Sequence, residues 1–339
     1  MSAPLTEVRQ ISRVAYGFIA SKALFAALNL ELFGHLAAGT RDVAALATAT
    51  GVAENRIETL LAVLVSLGLV TRDGAGYANA PATERYLVPG APAYFGDYYR
   101  FQIDRQIYPN LVHLDAGLAG DEANMAHTSI SDWLSTAAKA EDFSRAQHAG
   151  SLGPAMIMVR KIELSRARRL LDVAGGSGAY SITFCRAWPE LSATIIDFPS
   201  VIEVAKRFVA EAGMAERIAL IAGNALEAEW PAGQDVVLMS YLLSAVGGDD
   251  IGELLRRAWS ALDPGGLLIV HDFMLADDRS GPLSAASFFL SYLPLRTDSV
   301  SFTAAELRPE IERRGFVEVH DDVMLPELTK YIVATRPGS

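Results

Sequence analysis

Five short stretches in the second half of the chain carry residue types that hold ligands, and they come in a regular order. The first is Gly175-Gly176-Ser177-Gly178, which closes the apolar run Leu170 to Ala174 and opens a helical stretch. Glycines serve a turn whose φ values other residues resist, and they let a ligand reach the backbone with no Cβ in the way. A helix beginning there offers free N–H groups and the positive end of its dipole, a setting for a nucleotide-like ligand. Taken alone, G-G-x-G also serves as a plain strand-to-helix connection. Asp197 follows 19 residues after Gly178, where a carboxylate can accept both hydroxyls of a ribose. A lone Asp at a strand end is otherwise a helix cap. Asn224-Ala225 is spaced to meet an adenine edge, and Ser240-Tyr241 and His271-Asp272 complete the series.

Each stretch is useful only at the end of a strand, because ligands of doubly wound sheets sit beyond the carboxyl ends of their strands. The pattern supplies those strands. Apolar runs at 168–174, 193–196, 217–222, 235–240 and 267–272 are interspersed with helical sequence at 179–188, 200–213 and 249–262. A helix at 303–314 leads to strands near 316–324 and 328–335. The expected fold is α/β, a Rossmann-like doubly wound seven-stranded sheet, parallel except for its last strand. Such a sheet serves a dinucleotide or S-adenosylmethionine. Dinucleotide turns usually read G-x-G-x-x-G, and Ser181 stands where the third glycine would fall, which favours S-adenosylmethionine.

The first half reads differently. Residues 4–37 carry apolar positions at helical spacing, with a break near Asn29-Leu30. A helix from Asp42-Val43 to Gly51, another from Glu54 to Leu67, and a hairpin turning at Asp73-Gly74 follow. This is the order of a winged-helix module. Its third helix has only Arg56, beside Glu54 and Glu58, so it is a poor DNA reader and a better surface for a second subunit. Tyr94, Tyr98, Phe101, Arg105 and Tyr108 recur at three- and four-residue steps on one helix face, with Tyr99 and Arg100 interleaved. That face is either interdomain core or a substrate wall. Helices at 132–149 and 154–165, broken at Gly150-Ser151-Leu152-Gly153, lead into the glycine turn. The domains expected are 1–90 for dimerisation, 91–165 as a helical linker contributing to the substrate pocket, and 166–339 for the cofactor.

Composition narrows the class. Net charge is −11, and the strongest basic cluster, Arg160 to Arg169, contains Glu163 and reads as a solvated helix face, so nucleic acid is not an expected partner. The single Cys185 rules out an internal disulfide framework, and no Cys/His cluster has metal-ligand spacing. The apolar stretch Phe18 to Ala38 holds Lys22, Glu31 and His35, so no membrane span is expected. The N-terminus lacks a signal-peptide pattern, and a reducing cytoplasm is the expected location.

With these motifs in place the chain resembles, over nearly its whole length, the O-methyltransferase family of the caffeate and acetylserotonin type. The resemblance rests on LLDVAGGSG for the family's DVGGGxG, DFP after the second strand, GNAL after the third, LDPGGLLIVHDFML, and FTAAELRPEIERRGF in the last helix. It implies S-adenosylmethionine as cofactor and an intertwined homodimer built through the N-terminal module. The expected cofactor set is Gly175, Gly176, Ser177, Gly178, Asp197, Phe198, Asn224, Ala225, Ser240 and Tyr241, with Phe143 and Ser151 carried over as linker positions that flank the methionine part.

One position departs from the family. After the fourth strand the family reads L-H-D-W, and its His is the general base; here Ser244 stands at that place. A serine hydroxyl is no base near neutral pH without its own activator. Three readings follow. His148, His271 or another group serves as a relocated base, for a phenolic, bacteriochlorophyll or carotenoid acceptor. Or the acceptor has no proton to lose, as a thioether sulfur does not. Or the chain binds the cofactor without transferring its methyl group. The second is similar to a bacterial branch of the family that S-methylates 4-methylthio-2-hydroxybutyrate in dimethylsulfoniopropionate synthesis. A sulfonium product would gain from aromatic faces. The expected acceptor set is Tyr98, Tyr99, Arg105, Tyr108, Arg145, His148, Ser244 and Tyr292, with Arg296 facing the pocket or packing structurally.

Overall fold

The structure, a computed structural model, describes residues 4–126, 128–296 and 298–338, apart from the side chain of Ser131. The chain divides into two units, Met1–Gln106 and Ile107–Ser339.

The first unit is helical with one hairpin. Asp42 caps the helix Val43–Thr50 by accepting the Ala45 N–H at 2.8 Å, and Gly51 ends it at φ 69°. The helix Glu54–Ser66 buries Ile57, Leu61 and Leu64 against Leu28, Leu32 and Leu46. Strands β1 (Val70–Asp73) and β2 (Gly76–Asn79) pair antiparallel through the expected turn. The N-terminal segment breaks once more than its periodicity suggests: helices Val8–Ala15 and Gly17–Asn29 meet at Tyr16, before the expected break at Leu30. The face expected from Tyr94 to Tyr108 does not form. Tyr98–Ile107 is a π-type helix and Tyr108–His113 a 3-10 turn. Bonds from i to i+5, then i to i+3, take residues three and four apart off a common line.

The second unit carries the sheet. Its strands are β3 (Arg169–Val173), β4 (Ser192–Asp197), β5 (Ile218–Ala222), β6 (Gln234–Ser240), β7 (Leu262–Phe273), β8 (Val317–Leu325) and β9 (Thr329–Thr335). They lie in the order β5-β4-β3-β6-β7-β9-β8. Among these strands β9 alone points opposite to the rest, as expected of the last strand. The order reverses between β3 and β6, so a crevice opens beyond the ends of those two strands. Near-continuous apolar runs make this possible, since both sheet faces are covered: Leu170, Leu171, Val173, Val237, Leu238 and Met239 are buried.

One expectation fails here for a clear reason. The break at Gly150 to Gly153 is absent, and Ala137–Lys161 is one continuous helix capped by Thr136. Glycine costs a helix about 1 kcal/mol and proline about 3. Burial of Ala146, Ala149, Pro154, Ala155 and Met158, on a helix that packs against Ala179–Ala187 and Pro199–Glu211, outweighs that penalty.

Among the described residues no single helix is long and apolar enough to cross a membrane; the bent pair Val8–Ala15 and Gly17–Asn29 passes only when taken together. That pair exposes Val8, Ile11, Val14, Tyr16, Phe18 and Ile19. A surface so apolar at the N-terminus suits a second copy of the chain. Light scattering is expected to give twice the 36.4 kDa chain mass. The double variant Val14→Glu, Phe18→Glu is expected to lower that mass toward one chain; an unchanged dimer would mean that this face is not the interface.

Candidate cofactor and acceptor site

Two connected hollows open beyond β3 and β6. The larger, about 290 Å³, is lined by Phe143, Gln147, Ala174, Gly176, Asp197, Phe198, Asn224, Ala225 and Tyr241, among others. The smaller, about 30 Å³, is lined by Gln147, Ser151, Asp172, Ala174, Gly175, Gly176, Ser177, Tyr180 and Ser240. Gln147, Ala174 and Gly176 belong to both. The two hollows thus gather every expected cofactor residue except Gly178. That residue caps the helix Ala179–Ala187 at φ 80°, and a Cβ there would lie 2.9 Å from Ile195 Cδ1. Its role is close helix–sheet packing.

Asp197 ties the site together. Its Oδ2 accepts the Gly176 N–H at 2.8 Å and its Oδ1 the Phe198 N–H at 2.7 Å, so one carboxylate fixes both the glycine turn and the start of the next helix. The residue lines the larger hollow, where ribose hydroxyls could donate to its carboxylate. Asn224 Oδ1 accepts the Leu226 N–H at 3.1 Å, which holds the loop after β5. Ala174 and Tyr241, which follow β3 and β6, have φ of 55° and 57°, a region few non-glycine residues adopt. Backbone strain of this kind sits where both strands meet the crevice.

Three features escape the sequence reading. Asp172 is buried beneath the turn; its Oδ2 accepts the Ser181 hydroxyl at 2.7 Å, while Oδ1 has no partner among the described residues. A Cβ at Gly175 would sit 2.7 Å from Asp172 Cγ, so glycine is required there by the carboxylate as well as by any ligand. Gln147 lies midway between Phe143 and Ser151 on one helix, and the three line the hollows at four-residue steps. An acid inside an apolar strand and an i, i+4, i+8 series were the signals. The series is invisible if the helix is taken as broken. Tyr180 is the third, a buried side chain of the helix after the turn.

The expected acceptor residues scatter. Tyr98, Tyr99 and Arg105 belong to the first unit, where Tyr98 and Tyr99 make ring contacts with Phe95 at 4.9 and 5.1 Å and Arg105 lies 4.8 Å from the Phe101 ring. Tyr108 and Arg145 lie outside the lining of both hollows, as does the buried Tyr292, which packs 5.1 Å from Phe288. His148 meets Ser177 Oγ at 2.8 Å and stacks on Phe208 at 4.3 Å. Burial, with Arg186 nearby, lowers its pKa to about 4. It is a neutral brace on the glycine turn. His271 is fully buried and pushed by burial down to about 3. Ser244 is buried, and its N–H donates to Asp272 Oδ2 at 3.0 Å. Arg296 does face the larger hollow. Its Nη1 donates to the Ala245 carbonyl and its Nε and Nη2 clasp Asp298, all at 2.7 Å. Asp250 lines the same wall.

The comparisons with known proteins agree with this geometry. Residues 135–317 match the O-methyltransferase domain and residues 12–89 the O-methyltransferase dimerisation domain. The chain is 30% identical to 3-hydroxy-5-methyl-1-naphthoate 3-O-methyltransferase of Streptomyces sahachiroi, over 91% of this chain and 89% of that one. It is 29% identical to demethylspheroidene O-methyltransferase of Cereibacter sphaeroides, over 98% and 88%. In fold it is similar to human N-acetylserotonin methyltransferase solved with SAM, with a TM-score of 0.88 at 24% identity and full coverage of both chains. The mitomycin 7-O-methyltransferase MmcR gives a TM-score of 0.82 at 25% identity, covering 97% of each chain.

The residues present fit S-adenosylmethionine: a ribose-facing carboxylate, a cradle without side chains at Gly175 and Gly176, and an unpartnered buried acid for a cation. Burial raises Asp172 and Asp197 from 3.8 to about 6. A carboxyl whose folded pKa is raised favours the folded state below its unfolded pKa, and that contribution is lost as the pH rises through 6. Ligand hydroxyls and ammonium act the other way, because they favour the ionised form. S-adenosylhomocysteine affinity, measured by calorimetry, is therefore expected to weaken below pH 6 by about tenfold per unit for each proton taken up. Asp197→Asn should weaken binding at pH 8 and reduce that slope; a wild-type affinity level from pH 5 to 8 would contradict the assignment. By motif, fold and relatives the chain belongs to the O-methyltransferase family, as a methyltransferase whose cofactor is S-adenosylmethionine.

Proposed function

We propose that the chain methylates the thioether sulfur of a small carboxylic acid, with 4-methylthio-2-hydroxybutyrate as the acceptor, toward dimethylsulfoniopropionate. The observation that carries the reading is the wall of the larger hollow. Among the described residues no imidazole lines it, and Ser244, which the resemblance sets at the place of the family's base, is buried. A thioether sulfur is nucleophilic as it stands, and its methylation gives a sulfonium directly, so a base has no task. The bound cofactor supplies an electrophilic methyl group. The protein's part is orientation and exclusion of water: Tyr241, fixed by its N–H to the His271 carbonyl at 2.8 Å, and Leu242 form the wall beside the glycine turn.

Arg296 supports a carboxylate on the acceptor. Of the five N–H groups of a guanidinium, three are used by Ala245 and Asp298. Among the described residues no acceptor takes the other two, and they are offered to an anionic group entering the hollow. The dimerisation-domain match at 12–89 supports a homodimer as the working form.

O-methylation of a phenolic or carotenoid hydroxyl is the second reading. It is favoured by Asp250, a carboxylate on the hollow's wall that could take the proton, and by relatives named for O-methylation. A screen with methyl-labelled cofactor separates the two. Label is expected in thioether acids and not in phenols, and Arg296→Gln should raise KM for the acid about tenfold with kcat less changed, as for loss of a charge-assisted contact. Labelling of phenols alone would overturn the thioether reading, and labelling of neither would leave a protein that only binds the cofactor.

A further inference from the structure

Tyr241 carries a bulky side chain on a left-handed backbone, φ 57°, a conformation that strains a residue with a Cβ and that glycine adopts freely. Its surroundings fix it there. Its N–H donates to the His271 carbonyl at 2.8 Å, and its ring meets the His271 ring at 4.6 Å and the Phe273 ring at 5.2 Å. The residue is half-buried and lines the larger hollow. Strain kept for an aromatic ring on that wall points to a use for the ring, and methyl transfer by positioning alone gives it none.

We propose that the face of the Tyr241 ring takes up the positive charge on the cofactor's sulfur, so that the site holds S-adenosylmethionine in preference to its neutral product, S-adenosylhomocysteine. The proposal rests on the cofactor assignment and holds for any acceptor.

Placement follows from the cofactor's own connectivity, since its sulfur joins the ribose to the amino-acid chain. Asp197, the ribose carboxylate, lines only the larger hollow, and Asp172, the acid left for a cation, lines only the smaller. The sulfur therefore belongs where the two hollows join. The residues common to both, Gln147, Ala174 and Gly176, carry no charge. Ser240 lines the smaller hollow and Tyr241, the next residue, the larger, so this pair spans the join. A sulfonium has no hydrogen to donate, so a carboxylate cannot fix it by a hydrogen bond as it fixes a hydroxyl or an ammonium. The negative face of an aromatic ring meets such a diffuse cation directly. The two rings packed against Tyr241 bring no opposing charge: Phe273 is apolar, and burial holds His271 neutral, with a pKa of about 3. Arg296, on the wall of the same hollow, is paired with Asp298. When the methyl group leaves, the electron pair of its bond stays on the sulfur, which becomes a neutral thioether and loses the attraction. The ring thereby favours exchange of spent cofactor for fresh.

Calorimetry on the full chain with S-adenosylmethionine and S-adenosylhomocysteine tests this without turnover. Tyr241→Leu is expected to shift the ratio of the two affinities about fivefold against the charged ligand, equivalent to about 1 kcal/mol. Tyr241→Phe, which keeps the ring, should preserve the ratio. Phenylalanines carrying one, two and three fluorines at position 241 are expected to lower the ratio step by step, because fluorine drains the ring face at nearly constant shape, while S-adenosylhomocysteine binds as before. Equal weakening of both ligands by Tyr241→Leu, or a ratio indifferent to fluorine, would make the ring a packing element and overturn the proposal. Should Tyr241→Leu fail to fold, the fluorinated series decides alone. A wild-type chain that binds neither ligand would instead remove the cofactor assignment, and this proposal with it.

Discussion

Two buried carboxylates at the carboxyl edge of the sheet set the terms for everything around them. Asp197 holds the glycine turn and the next helix by two backbone N–H groups. Asp172, one strand inward, has only the Ser181 hydroxyl and leaves one oxygen bare among the described residues. Burying ionised carboxylates without a cation is unfavourable, and the raised pKa values express that tension. Positive φ at Ala174 and Tyr241 adds strain to the same edge. The apolar sheet beneath, with Leu170, Leu171, Val237 and Leu238 fully buried, holds the edge in this form. A ligand that brings hydroxyls to Asp197 and a positive charge to Asp172 relieves the site, and S-adenosylmethionine carries both.

How much of this was legible in the sequence follows from where local signals dominate. Strands of the central sheet declare themselves as apolar runs, and their ends carry glycine, Asp197 and Asn224, so strand ends and the residues that line the hollows could be read together. The continuous helix Ala137–Lys161 could not, because Gly150, Gly153 and Pro154 argue locally for a break and only burial of the helix face overrides them. Losing that helix also hid Gln147. Asp172 stood in the motif LLDVAGGSG but read as one letter of a strand; that its carboxylate lies beneath the turn is a tertiary fact. The acceptor residues were least legible. Tyr94 to Tyr108 rested on a helical period that a π-type helix does not keep, and Arg145, His148 and Tyr292 take other places in the second unit.

Both histidines considered as relocated bases are engaged elsewhere. His148 braces Ser177, and His271 bridges Ser240, Tyr180 and Thr329; burial keeps each neutral at physiological pH. Asp272 accepts the Ser244 and Phe273 N–H groups and is fully buried. Neither histidine lines the larger hollow. A site organised in that way suits an acceptor whose methylation moves a positive charge from one sulfur to another and releases nothing.

Proton balance is therefore the most direct measurement. Methyl transfer from a sulfonium to a thioether conserves charge and frees no proton, whereas transfer to a hydroxyl frees one proton per methyl. With the reaction run in weak buffer containing a pH indicator, and the methylated product counted in parallel, the thioether reading predicts no proton released per methyl transferred. One proton per methyl would contradict it and assign the chemistry to oxygen.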